Sequence, residues 1–211
     1  MYKNRAEAGQ MLAEKLEFLQ NAGDAIVLAL PRGGVPVGYE IAKSLKIPLH
    51  IFLVRKLGVP GHRELAMGAI ASGGITVLND ALISELHISA ADIDRVKKEE
   101  IAELERRSRL FDMAQENLLL SDKTLVLVDD GLATGASMKA AISALKQGVS
   151  NRLIVAIPVG APDICEELRK QVFMLICPLR PAYFSSVGEW YEDFSQTTDE
   201  EVKTLLAKKT F

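Results

Sequence analysis

A loop of small residues lies in the stretch LVLVDDGLATGAS, residues 125–137, directly after four apolar residues and two acids. Gly131 and Gly135 allow the backbone to turn sharply, and a helix is predicted to begin there. Backbone amides at such a helix N-terminus favour a phosphate, and Thr134 and Ser137 add hydroxyl donors. The predicted phosphate-binding residues are Gly131, Ala133, Thr134, Gly135, Ala136 and Ser137.

The two acids that precede the loop, Asp129 and Asp130, need a different partner because they would repel a phosphate. Carboxylates suit sugar hydroxyls or a Mg²⁺ ion. A ribose 5′-phosphate satisfies both halves of the stretch, since its phosphate fits the loop and its 2′- and 3′-hydroxyls fit the acids. The competing interpretation is a simple helix cap, but a cap needs one carboxylate and no phosphate loop.

Other nucleotide and hydrolase signatures are missing from the sequence. The chain has no G-x-x-x-x-G-K-[ST] loop and no G-x-G-x-x-G fingerprint, and GGVPVG at 33–38 has the wrong spacing for the latter. A G-x-S-x-G nucleophile elbow is absent as well.

The elements that must position this loop follow an alternating order. Pro36 is expected to open a helix, and the pattern of helices between apolar runs predicts an α/β fold with an open, mostly parallel sheet covered on both faces. Ligands of such sheets bind beyond the carboxyl ends of the strands, where Asp129 and Asp130 are expected. The predicted strands are residues 25–30, 49–54, 124–128, 153–158 and 172–177.

The remaining segments have more varied patterns. Residues 56–68 have no clear period and are predicted to be a loop, followed by a hairpin or broken strand over 69–72 and 75–78. Residues 80–117 are predicted to be helical with a break near His87, and their dense charge is interpreted as a solvated helix face rather than a substrate or oligomer contact. We expect one domain over 1–211, with a core at about 24–178 and a hood or flap formed by the N-terminal helix 5–21 and the tail 179–211.

Composition narrows the class of protein. Lys and Arg total 25 against 28 Asp and Glu, so no polyanion-binding surface is indicated and nucleic acid is not an expected partner. No apolar run reaches membrane-spanning length, and the polar N-terminus does not resemble a signal peptide. Cys165 and Cys177 match no metal spacing. We therefore expect a cytoplasmic protein with free thiols, no membrane partner and a homodimer as one option.

LVLVDDGLATGAS resembles the phosphoribosyl pyrophosphate (PRPP) motif of type I phosphoribosyltransferases, which has four hydrophobic residues, two acids, two spacers and a Thr-Gly-x-Ser/Thr loop. Gly131 departs from that pattern, since an aliphatic residue is commoner there, and we expect a more flexible loop. The resemblance implies a Mg²⁺-dependent transfer of 5-phosphoribosyl from PRPP to a small-molecule acceptor, which is unidentified, with a nucleobase-like compound as one option, and release of pyrophosphate. Asp129 and Asp130 are then the ribose ligands and an indirect or weak metal site.

Two further segments resemble parts of the same family. ALPRGGVPVG, residues 29–38, resembles the pyrophosphate loop, where the family often has a strained or cis peptide, and it supplies Arg32, Gly33 and Gly34. VRKLG, residues 54–58, resembles the segment that brings a basic residue to the pyrophosphate, with Lys56 preferred to Arg55. The resemblance thus implies Lys56, Arg32 and Asp130 as the catalytic residues.

Residues 58–68 correspond in position to the family's mobile loop, so His62, Arg63 or Glu64 is expected to reach the ligand when it closes. The whole chain also resembles an orphan bacterial group of predicted phosphoribosyltransferases, through RAEAG, PRGGVPV, ELAMGAIASGG and VGEWYEDFSQTTDEEV.

The acceptor is expected at the hood, where tail aromatics offer stacking surfaces, although core packing is the preferred role for most of them: Tyr183, Phe184 and Trp190. Two alternatives stay open. One is a PRPP- or nucleotide-binding regulator with little catalysis, because one fold serves many functions. The other is a hydrolase or another enzyme that binds ribose 5-phosphate.

Overall fold

The structure is a computed structural model of the chain, and it describes residues 1–111, 120, 122–148 and 152–208. Its central sheet has five strands: β1 (Ala25–Ala29), β2 (Leu49–Ile51), β6 (Thr124–Val128), β7 (Leu153–Ala156) and β8 (Met174–Ile176). They are all parallel and lie in the order β2-β1-β6-β7-β8. This confirms the predicted open parallel sheet.

Helices cover both faces of this sheet. The helices are α1 (Arg5–Lys15), α2 (Gly34–Leu45), α3 (Asp80–Glu85), α4 (Ala90–Leu110), α5 (Ala136–Gly148), α6 (Pro162–Arg169) and α7 (Asp199–Ala207). Val27 in β1 packs toward α1, α2 and α7, whereas its neighbour Leu28 packs toward α5 and α6. Because successive side chains of a strand point to opposite faces, a strand covered on both sides needs an unbroken apolar run.

A second, antiparallel sheet replaces the loop predicted over 56–68. It consists of β3 (Val54–Val59), β4 (His62–Ala71) and β5 (Ile75–Leu78) in sequence order. The loop prediction was wrong because the pairing of β3 with β4 shifts register around Gly58, and this irregularity hides the period-two pattern of a strand. Buried Leu57 and Met67 nevertheless pack with Val96 of α4 in a small core of their own.

Other predictions for this region are confirmed. β4 and β5 form the expected hairpin, and the helix break near His87 separates α3 from α4. The part of the predicted helix at 112–117 lies outside the described residues. None of the helices in the described part of the chain is both long and apolar enough to cross a membrane.

The tail returns to the start of the chain. Tyr2 forms an isolated parallel bridge with Tyr191, and both side chains are buried in a small cluster with Ala8 and Val159. Farther on, Val202 of α7 is buried in the core that contains α1 and α2. The described part of the tail therefore packs against the N-terminal segment at Tyr191 and against the main core at Val202.

Candidate functional site

The PRGG loop and the acid pair meet at one edge of the central sheet. β1 and β6 are paired in parallel with Ala29 opposite Val128, so the segments that follow them leave the sheet side by side. A Cβ atom added to Gly33 would lie 1.9 Å from Oδ2 of Asp130, and one added to Gly34 would lie 2.7 Å from the carbonyl oxygen of Val128. Both positions therefore require glycine. The peptide bond between Pro31 and Arg32 is cis, one of the two backbone states that the resemblance implied.

The two acids have different surroundings. Oδ1 of Asp129 accepts a hydrogen bond from the backbone amide of Asp130 at 2.9 Å, which fixes the first carboxylate close to the main chain. Burial and the charge of Asp130 hold the pKa of Asp129 well above its usual range. Burial also raises the pKa of Asp130, although its hydrogen bond with Arg5 acts in the opposite direction. Two desolvated neighbouring carboxylates are costly to ionise together.

Arg5 is the site residue that the sequence did not predict. Its Nε lies 2.8 Å from Oδ2 of Asp130, with side chains only 12% and 16% exposed. Nη1 donates to the carbonyl oxygen of Ser195 at 2.7 Å, and the guanidinium lies 4.0 Å from the centroid of the Phe194 ring. The conspicuous RAEAG stretch contains this residue, but nothing local to that stretch indicates a partner so distant along the chain.

The predicted phosphate loop leads directly into α5. Gly135 has φ +70°, a left-handed conformation that other residues adopt at a cost. Ala133, Thr134, Ala136 and Ser137 are exposed, and α5 begins at Ala136. The loop therefore presents a helix N-terminus and two hydroxyl groups to solvent, which is the arrangement that the sequence predicted.

Gly131, the departure from the family motif, has a structural reason. A Cβ atom at this position would lie 2.4 Å from Cγ1 of Val187 in the tail. The φ of Gly131 lies outside the left-handed range, so its backbone does not require glycine. The contact with Val187 does require glycine. In place of the more flexible loop that was expected, the structure has Gly131 closely packed against the tail.

Two of the predicted basic residues, Lys56 and Arg55, line a cleft of about 530 Å³ beside this edge. Lys56 lies in the cleft wall with Pro31 and Ser137, and its Nζ is 3.3 Å from Oε2 of the fully exposed Glu64. Arg55 lines the same cleft and pairs with Glu100 of α4 at 2.7 Å. The charged face of α4 thus contributes to the cleft wall as well as to the solvated surface.

Arg32, His62 and Glu64 are not among the described residues that line this cleft. Arg32 pairs with Asp199 of α7 at 3.4 Å, with both side chains more than one third exposed. His62 and Glu64 are exposed on β4. The side chain of Arg63 lies outside the described part of the structure.

The tail aromatics divide into two kinds. Phe184 and Trp190 pack against the cluster of Tyr2 and Tyr191, whereas Tyr183 is 93% exposed. Core packing, the preferred interpretation, therefore holds for Phe184 and Trp190. Among the described residues, no group of three or more His, Cys, Asp or Glu side chains is arranged to hold a metal ion.

Comparisons with known proteins agree with this geometry. The family model for the phosphoribosyl transferase domain matches residues 61–193. The chain is 41% identical over 206 residues to "Putative phosphoribosyl transferase Rv0571c" of Mycobacterium tuberculosis (strain ATCC 25618 / H37Rv), a match that covers 98% of this chain and 46% of the relative. A protein of strain CDC 1551 / Oshkosh, MT0597, carries the same description and gives the same figures. The chain thus spans about half the length of these curated relatives.

A solved structure extends the match over the whole chain. The crystal structure of TT1426 from Thermus thermophilus has 36% sequence identity and a TM-score of 0.89, and it covers 100% of both chains. The open parallel sheet, with the acid pair and small-residue loop at its carboxyl edge, is the fold that the resemblance to type I phosphoribosyltransferases implied. With the family model and the full-length structural match, the chain belongs to the phosphoribosyl transferase family.

Proposed function

We propose that the chain transfers the 5-phosphoribosyl group of PRPP to a small acceptor and releases pyrophosphate. The observation that carries the proposal is the contact between Gly33 and Asp130, where a side chain larger than hydrogen would meet the carboxylate. This contact brings the segment suited to a diphosphate next to the segment suited to a ribose 5-phosphate. One PRPP molecule contains both groups, joined at C1′.

In the proposed reaction, the bond from C1′ to the pyrophosphate oxygen breaks and a bond from C1′ to the acceptor forms. The pyrophosphate leaves with the bonding electrons, and the acceptor loses a proton. Because the transition state at C1′ carries positive charge, positioning and electrostatic stabilisation are the main tasks of the protein. A Mg²⁺ ion bound with the substrate would supply positive charge at the leaving pyrophosphate. Asp129 and Asp130 would hold this ion indirectly, by hydrogen bonds to the ribose hydroxyls or to water.

The main predicted residues have these roles in the scheme. The loop from Gly131 to Ser137, in which Ala133, Thr134, Ala136 and Ser137 are exposed, binds the 5′-phosphate through amides and hydroxyls. Asp129 and Asp130 hold the ribose hydroxyls. Arg32 and Lys56 take the charge of the leaving pyrophosphate.

Arg32 and Lys56 both form ion pairs in the structure, but breaking these pairs costs little free energy. Arg32 contacts Asp199 with side chains 38% and 34% exposed, and the partner of Lys56, Glu64, is fully exposed. Exposed ion pairs contribute about 0–1 kcal/mol. A doubly charged phosphate group therefore competes well for both cations.

The proposal is tested by incubating the protein with Mg²⁺, PRPP and a panel of nucleobases while pyrophosphate release is followed. Release that depends on one acceptor supports the transferase. The joint substitution Asp129→Asn and Asp130→Asn should weaken PRPP binding, and unchanged affinity would show that the ribose site is elsewhere.

A second candidate, a PRPP-binding regulator with little catalysis, is favoured by one observation. Oδ2 of Asp130 is already bound by Arg5. This carboxylate therefore has less freedom to move when the ribose changes shape during a transfer reaction. Tight PRPP binding without pyrophosphate release, for every acceptor in the panel, would select this alternative.

A further inference from the structure

Arg5 occupies a position where the helix itself gains nothing from a cation. It is the first residue of α1, directly after the capping residue Asn4. A helix N-terminus carries partial positive charge, so a basic residue there is unfavourable. The contacts of its guanidinium outside the helix therefore account for its position better than helix stability does.

Those contacts fix the guanidinium from two sides. Nε donates to Oδ2 of Asp130 at 2.8 Å, while the Phe194 ring and the carbonyl oxygen of Ser195 hold the remainder of the group. The tail also binds the other partner, because the hydroxyl of Tyr191 donates to the main-chain oxygen of Asp130 at 2.6 Å. The Tyr191 and Phe194 rings lie 5.0 Å apart. Arg5 and Asp130 are thus both held by one aromatic segment.

The surroundings of Asp130 explain what this ion pair does. Asp129 lies beside it in the chain, Tyr191 contacts it from the tail and Arg5 contacts it from α1, while Gly33 of the PRGG loop lies against its carboxylate. The Arg5 and Asp130 side chains are only 12% and 16% exposed, so the pair is largely shielded from water. The guanidinium is therefore the group that orients Oδ2.

We propose that Arg5 is a positioning residue of the donor site. It holds the Asp130 carboxylate in a fixed orientation through Oδ2, so that Oδ1 serves a ribose hydroxyl of PRPP. The N-terminal helix and the tail then control donor binding without touching the donor. This inference rests on the proposed function, since it assigns Asp130 to the ribose.

The test compares Arg5→Gln and Arg5→Lys with the wild-type chain. Mg²⁺–PRPP affinity is measured by calorimetry, the free energy of unfolding by urea denaturation, and the carboxyl ¹³C resonances of the aspartates are recorded without ligand. Arg5→Gln should weaken PRPP binding about ten- to a hundredfold, the usual effect of losing a hydrogen bond to a buried charge. Lys3→Gln is the matched control because Lys3 is an N-terminal cation whose side chain is 73% exposed, and it should leave affinity unchanged.

Rescue by the conservative variant separates positioning from a merely structural role. Arg5→Lys keeps a charge beside Asp130 and should recover part of the affinity that Arg5→Gln loses, whereas a residue that only stabilises the fold should lose affinity in proportion to its loss of stability. If Arg5→Gln does not fold, Phe194→Leu, which removes the ring contacts to Arg5 and Tyr191, should give a smaller loss of affinity in the same direction.

Two results would overturn the inference. Tighter PRPP binding by Arg5→Gln would make Arg5 an internal competitor for Asp130, and equal affinity of Arg5→Gln and Arg5→Lys would make it a structural residue only. Failure of the wild-type chain to bind PRPP would instead refute the donor site, and the ¹³C spectra would still show whether Arg5 fixes Asp130, since Arg5→Gln should shift its carboxyl resonance.

Discussion

Gly131→Ala should destabilise the protein through one contact in the tail. The added Cβ would lie 2.4 Å from Cγ1 and 2.8 Å from Cγ2 of Val187, whereas ordinary contacts between carbon atoms are about 3.5–4.0 Å. The backbone of Gly131 tolerates alanine because its φ is not in the left-handed range. The whole cost therefore comes from the overlap, and over-packing of this kind costs about 1–3 kcal/mol.

A double-mutant cycle tests this reasoning. Val187→Ala removes both γ-methyl groups of a partly buried side chain and should cost about 1 kcal/mol by itself, from roughly 0.8 kcal/mol per buried methylene-sized group. In that background Gly131→Ala meets only the Cβ of residue 187, at 3.1 Å, so the double variant should lose little stability beyond that of Val187→Ala. The expected coupling energy is thus about 1–3 kcal/mol in favour of the pair.

Urea unfolding of the four proteins gives the cycle, and thermal unfolding provides a second measure. In a chain of this size 1 kcal/mol corresponds to about 2–4 °C in Tm. Additive free energies of unfolding would refute the argument, because they would mean that Val187 does not exclude a side chain at Gly131. PRPP affinity measured on the same proteins shows whether the overlap also displaces the phosphate loop.

Three other predictions concern the site. Tyr191→Phe leaves the main-chain oxygen of Asp130 without its donor and should lower the free energy of unfolding by about 1–3 kcal/mol, as urea denaturation would show; no change would mean that water replaces the hydroxyl. Lys56→Ala should reduce the rate of pyrophosphate release at least tenfold with little loss of stability, while Glu64→Ala, which breaks the same exposed pair, should retain release; equal losses would implicate the pair rather than the cation. Asp129→Asn should raise Tm at neutral pH, because the folded state raises the pKa of this acid and so disfavours its charged form relative to the unfolded chain. The gain should vanish at acidic pH, where the carboxyl is protonated in both states, and a gain that is independent of pH would rule out ionisation as its cause.

The central sheet and its ligand edge could be predicted from the sequence because each depends on local pattern. Strands such as β1 and β6 are continuous apolar runs, and parallel strands place their carboxyl ends together. In the structure Gly33 and Gly34, which follow β1, lie against Asp130 and the Val128–Asp129 segment at the end of β6.

The antiparallel sheet was missed for a physical reason of a different kind. Its period-two pattern is interrupted where β3 and β4 shift register near Gly58, and a glycine-containing segment resembles a loop when only composition is considered. Burial of Leu57 and Met67 against Val96 shows that tertiary packing, not local preference, makes these residues strands.

Arg5 was missed because its role depends on partners that are remote in sequence. The local pattern around it describes a helix start capped by Asn4. Its two polar partners are 125 and 190 positions away along the chain, and no helix or strand periodicity relates residues at such separations. Likewise, the glycine at position 131 is explained by Val187, a tail residue that the motif itself does not contain.

These long separations have a consequence for synthesis of the protein. During translation the acid pair and the phosphate loop leave the ribosome before Tyr191, Phe194 and Ser195 exist, so Asp130 and Arg5 are both present while the segment that holds them is still missing. Contacts between residues so far apart are among the last to form, because a large loop must be closed first. A nascent chain that ends before Tyr191 therefore carries both sequence motifs but lacks the aromatic segment that fixes the counter-ion of Asp130.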